Sequence, residues 1–143
     1  MTRTPLSTAQ NDVRINDGGS LLSANGNITV TASNANNSTG ILFMGDSARV
    51  GSARGKIALT SYGNVTLGGL ATGNTAIDAV TITASGGMVA DGGDMFLDVS
   101  VPDGGGLVIV AANGAGSGNA LETDVTTLNA SAASDARSIT NPS

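Results

Sequence analysis

Apolar residues in this chain come in short alternating runs, each closed by glycine and small polar residues. The clearest are Lys56-Ile57-Ala58-Leu59-Thr60 and Asn64-Val65-Thr66-Leu67, inside the stretch from Gly55 to Gly69. Ile57 and Leu59 point to one side of an extended strand, and Ala58 and Thr60 to the other; Val65 and Leu67 repeat the arrangement. The same phrase occurs upstream as GNITVTAS (Gly26 to Ser33) and downstream as AVTITASGG (Ala79 to Gly87). Apolar pairs recur at Ile28/Val30, Ile57/Leu59, Val65/Leu67, Val80/Ile82 and Leu107/Ile109. Repetition of one strand-and-turn unit predicts that the units stack.

In chain order, Met1 to Asn11 reads as a polar lead-in, with strand character beginning at Val13 and Ile15. Asn16 to Gly19 is a turn, because Asn, Asp and Gly tolerate positive φ. Strands are predicted at Ser20 to Ser23, Ile28 to Ala32, and Ile41 to Met44, the last buried on both faces or ending in a turn. Asp46 to Arg54 reads as a connector, and Gly68-Gly69 as a turn. Val80 to Thr83 is a strand, and Met95 to Val101 alternates around Phe96. Pro102 to Gly106 is a turn, and Leu107 to Ala111 is the most apolar strand. Leu121, Val125, Leu128 and Ala132 fall at helical spacing, but Thr123, Thr126 and Thr127 disfavour a helix interior. Strand is therefore expected around Val125 to Ala130, with a last strand at Ser138 to Thr140.

About nine or ten short strands with no long helical pattern make an all-β chain. Only 2% of residues are aromatic, so the core must be built from Val, Ile, Leu, Met and Ala. Small and β-branched residues suit stacked strands, where like side chains lie over like. The expectation is a β-solenoid, a parallel β-helix with coils of about 20 to 27 residues. Such a piece would be about 25 to 35 Å long at the usual strand spacing. A β-sandwich is the alternative, and it would need longer alternating strands. Residues 1–25 are assigned to the lead-in and first strands, and 26–143 to the solenoid, within one domain.

Hydrophobic residues make up 40% of the chain and are periodic, which argues against disorder despite 21 Gly. Net charge is −5 with six Lys plus Arg, so there is no basic stripe for nucleic acid. Arg49, Arg54 and Lys56 read as a solvated loop. With no cysteine, disulfides, zinc–thiolate sites and thiol catalysis are excluded. No apolar run reaches the roughly 20 residues of a membrane helix. MTRTPLSTAQND has no apolar h-region and does not read as a signal peptide. Asn-x-Ser/Thr patterns at Asn27, Asn36, Asn37, Asn64 and Asn129 carry little weight in so Asn- and Thr-rich a chain.

Two candidate chemistries stand beside plain turn aspartates. Asp91, Asp94 and Asp98 lie in ADGGDMFLD, an imperfect single copy of a calcium-binding glycine–aspartate repeat. Calcium needs six to eight oxygens, so solvated turn aspartates are the competing reading, and no cofactor is assigned beyond a weak calcium candidate. Asp78, Asp91, Asp94 and Asp98 could also pair across coils as the carboxylates of a carbohydrate-cleaving β-helix. With no His, one Lys and one Glu (Glu122), no acid–base partner is visible, and the chain reads as a non-enzyme.

At GNITVTAS, GKIALTSYGNVTLGG and AVTITASGG the chain resembles the filamentous haemagglutinin-like repeats of large bacterial exoproteins. GSGNALETDVTTLNASA (Gly116 to Ala132) is similar to an element of giant repeat-rich bacterial adhesins. The resemblance implies a right-handed parallel β-helix, export to the bacterial surface or medium, and service as an adhesive or structural stalk. The family's secretion domain is not recognisable here. The expected partners are neighbouring coils of a longer chain or copies of this one, with glycans or host surfaces as further candidates. The runner-up function is a carbohydrate-binding or carbohydrate-cleaving β-helix of the tailspike type.

Overall fold

A computed structural model of the chain describes residues 6–9, 11–33, 38–93, 96–116, 119–132 and 139–140. The chain winds through three strands and begins again. The first coil holds β1 (Leu6–Ala9), β2 (Val13–Ile15) and β3 (Ser20–Ser23). The second holds β4 (Ile28–Ala32), β5 (Leu42–Met44) and β6 (Arg49–Ser52). The third holds β7 (Ile57–Ser61), β8 (Val65–Leu67) and β9 (Gly69–Thr72), and the fourth β10 (Val80–Ala84), β11 (Val89–Asp91) and β12 (Val99–Ser100). In the fifth, β13 (Gly106–Ala111) and β14 (Leu121–Asp124) flank a single bridge from Val89 to Ala115. β15 (Thr127–Ala132) and β16 (Ile139–Thr140) belong to the sixth.

Strands in the same place on successive coils pair into three sheets, ordered β1-β4-β7-β10-β13-β15, β2-β5-β8-β11 and β3-β6-β9-β12-β14-β16. All strand pairing among the described residues is parallel, and no helix is present among them. This is an all-β, solenoid-like fold. The sandwich alternative does not hold, since sandwiches are built from antiparallel sheets.

Register explains the core. Ile28, Ile57, Val80 and Leu107 are successive partners in the first sheet, as are Val30, Leu59, Ile82 and Ile109. All eight are fully buried. The residues between them in the pleat face outward, so β4, β7 and β10 each show an aliphatic face inside and a Thr-rich face outside. Val50, Leu70 and Val99 form a matching stack in the third sheet. Like-on-like stacking fills a narrow interior without aromatic rings.

The corners are closed by side chains that reach the next coil. Ser23, Ser52 and Thr72 are in register. Ser52 Oγ donates to the Gly26 carbonyl (2.9 Å) and accepts from Gly55 N–H (2.8 Å). Thr72 Oγ1 donates to the Gly55 carbonyl at 2.6 Å and accepts from Asn74 N–H at 3.1 Å. Asn27 and Asn64 accept from the Lys56 and Met88 N–H groups of the following coils. Such bonds satisfy backbone groups that the sheets leave over. Gly55 is needed for the close approach: a methyl group there would overlap the Gly26 carbonyl.

Several expectations are corrected. The polar lead-in contains β1, paired with β4. The connector Asp46 to Arg54 contains β6, whose one large apolar residue, Val50, is enough to hold it in the core. Gly69 opens β9 rather than closing a turn. Phe43 is not buried on both faces; it faces outward beneath the Arg14 guanidinium, 5.5 Å from the ring centre. The run around Phe96 is a strand only at Val99–Ser100, and Phe96 is 68% exposed. Leu121 to Ala132 is two strands, broken at Val125 and Thr126. Asn36, Asn37, Asp94 and Ser138 lie outside the described residues.

Candidate functional site

Chemistry is concentrated at the corner between the second and third sheets, at the fourth and fifth coils. Asp91 is the last residue of β11, and its backbone pairs with Leu67. Asp98 directly precedes β12, where its backbone already belongs to the ladder. Leu70 N–H donates to the Asp98 carbonyl, and Asp98 N–H donates to the Glu122 carbonyl, both at 2.8 Å. Glu122 lies in β14, one coil further on. Stacking the coils therefore brings three carboxylates together, with one oxygen from each within 4.8 Å of the others.

Asp98 is 1% exposed. Its Oδ2 accepts from Glu122 N–H at 3.0 Å. Burial pushes the Asp98 carboxyl up to about 8, against the opposing effect of the Glu122 N–H; the charges of Asp91 and Glu122 and a hydrogen bond with Asp91 raise it further. No cation is among the charges that act on it. At the rim, the Asn119 amide donates to Asp91 Oδ2. Asp91 also accepts from Gly93 N–H at 3.0 Å.

Of the sequence candidates, Asp91 and Asp98 are brought together, and Asp94 lies outside the described residues. Asp78 is elsewhere. It sits before β10 and pairs with Lys56 at 2.7 Å on a half-exposed surface, which holds its carboxyl below the usual range. Arg49, from the same basic cluster as Lys56, turns back to the Asp46 and Ala48 carbonyls. Glu122 was not foreseen as a partner. Its signal was spacing: it follows Asp98 by one coil, 24 residues.

A second feature is a cleft of about 550 Å³ on the outer face of the third sheet. Leu22, Gly51, Ala71 and Ser100 line its floor, and Pro102 and Asp103 its side. The small residues at 51, 71 and 100 make the trough, and Leu22 stands 68% exposed beside it. Its lining includes none of the three clustered carboxylates.

No helix among the described residues is long and apolar enough to cross a membrane. Comparison with known proteins returns no relative: no protein-family model, no curated protein and no solved structure matches the chain.

Proposed function

We propose that this chain is a non-catalytic structural and adhesive module of a bacterial extracellular or surface protein, wound as a right-handed β-helix. It serves as a stalk or self-associating filament segment. The observation that carries this reading is the unbroken register of the first sheet. The same aliphatic stack runs from β4 to β13, and β1 and β15 are the outermost strands of that sheet as described. An outermost parallel strand offers backbone groups to a further coil, of a longer chain or of a second copy. Leu128, in register with the buried Leu107, is 37% exposed on β15, the outermost described strand of this sheet, where a further coil would cover it. Placement outside the cell rests on the resemblance of the GNITVTA-type phrases.

The same observations favour a module without turnover. Among the described residues, the one carboxyl with a strongly raised pKa, Asp98, is buried, where a glycoside could not reach it. Incubation with bacterial and plant polysaccharides should release no reducing ends. Reproducible release that is lost on Asp98→Asn would overturn the reading in favour of a carbohydrate-cleaving β-helix.

A further inference from the structure

The geometry points to a calcium-binding site formed by Asp91, Asp98 and Glu122, a clamp between the fourth and fifth coils. Three carboxylates share one corner, with an oxygen of each within 4.8 Å of the others. Two oxygens bound to one calcium lie at most about 5 Å apart, twice the metal–oxygen distance, so each pair of these carboxylates lies within the span of a single ion.

Clustering alone would be satisfied by water or by a shared proton. A separate observation asks for a cation. Glu122 Oε2 is shut off from solvent and accepts no hydrogen bond among the described residues. A buried carboxylate oxygen without a donor is costly, and burial of an unpaired charge more so. Asp98, 1% exposed, sets a fully buried carboxylate beside it. It accepts from the Glu122 backbone N–H, and the charges that act on it, those of Asp91 and Glu122, are both acidic. No Lys or Arg forms an ion pair with any of the three among the described residues. A divalent cation supplies the missing positive charge and a partner for the orphaned oxygen in one step.

The donor set is all hard oxygen, which selects calcium, magnesium or manganese over thiolate- or imidazole-seeking metals. Calcium fits best. It tolerates irregular geometry and mixed mono- and bidentate carboxylates, whereas magnesium demands a near-ideal octahedron and keeps its waters. Three carboxylates provide between three and six of calcium's six to eight ligands, and water completes the shell. The ion would tie Asp91 of β11 and Asp98 before β12 to Glu122 of β14, cross-linking successive coils through side chains.

The test is calorimetric titration of calcium chloride into chelator-stripped protein near neutral pH, with thermal melting in parallel. One calcium per chain and a higher melting temperature are expected, with magnesium much weaker. Glu122→Gln and Asp98→Asn should each lower calcium affinity about tenfold or more, because each removes a charged ligand. Both variants keep an acceptor of the same shape, and circular dichroism checks that they fold. Without calcium they should melt no lower than the parent. Absence of calcium heat and of any melting shift in the parent would overturn the site. So would a calcium shift that survives in both variants, because the ion would then bind elsewhere.

Discussion

Asp98 and Glu122 hold each other twice across the gap between consecutive coils. The Asp98 N–H donates to the Glu122 carbonyl at 2.8 Å, and the Glu122 N–H donates back to Asp98 Oδ2 at 3.0 Å. The first bond is part of the sheet. The second draws a carboxylate into the interior beside Asp91 and the Glu122 side chain.

This arrangement makes metal-free stability depend on pH. The folded protein keeps the Asp98 proton up to about 8, whereas the unfolded chain loses it near 3.8. The unfolded state therefore binds fewer protons between these values, and stability falls with rising pH. The contribution is fully present below 3.8 and is lost as the pH rises through about 8. Asp98→Asn keeps the acceptor for Glu122 N–H but cannot ionise. In chelator, the variant's melting temperature should gain on the parent's as pH rises. Parallel melting curves for the two proteins across that range would show that Asp98 ionises without strain.

The aliphatic stack should be the main source of stability. Ile82 lies fully buried between Leu59 and Ile109. Ile82→Ala should destabilise by about 2–5 kcal/mol, through lost transfer energy and the cavity left behind. Thr81→Ala, on the outer face of the same strand, should change stability by no more than about 0.5 kcal/mol. Denaturant melts of the pair measure both.

The hydroxyl ladder at the corner gives a separate test. Thr72 bonds the Gly55 carbonyl and the Asn74 N–H while itself 3% exposed. Thr72→Val keeps the shape and removes both bonds. A loss of about 1–3 kcal/mol is expected, the penalty for leaving buried backbone groups unpaired. Equal stability of variant and parent would mean that the corner is held by the sheet alone.

Glycine spacing is set by coil contact. At Gly55 a side chain would overlap the backbone of the coil below, at the Gly26 carbonyl. Gly55→Ala should therefore destabilise by about 1–3 kcal/mol or more, since backbone must shift. At Gly51 the nearest atom to an added methyl is the exposed Leu22 side chain, at 3.3 Å. Gly51→Ala should be tolerated, with a smaller melting shift than Gly55→Ala.

The strands that alternate cleanly were legible in the sequence: Ile28 to Ala32, Ile57 to Ser61, Val65 to Leu67 and Val80 to Ala84 carry their core pair at period two. The third sheet was harder to see. β6 and β9 each place only one large apolar residue inside, Val50 and Leu70, beside Gly, Ser and Thr. Local pattern cannot distinguish such a segment from a turn; it becomes strand because flanking coils fix its register. Phe96 misled for the opposite reason, an aromatic in an alternating run that the corner leaves outside. At the candidate site, Asp91 and Asp98 stood out by glycine context. Glu122 did not, because its place is set by coil length, and coils here vary from 18 to 29 residues between registered partners.

Electron microscopy of the purified chain in negative stain, over a concentration series with and without calcium, tests the stacking account most directly. The account predicts rods of constant width that lengthen with concentration, as β1 of one copy continues the sheet that ends at β15 of another. Isolated particles about 25–35 Å long at every concentration, the size of one chain at the usual strand spacing, would contradict it.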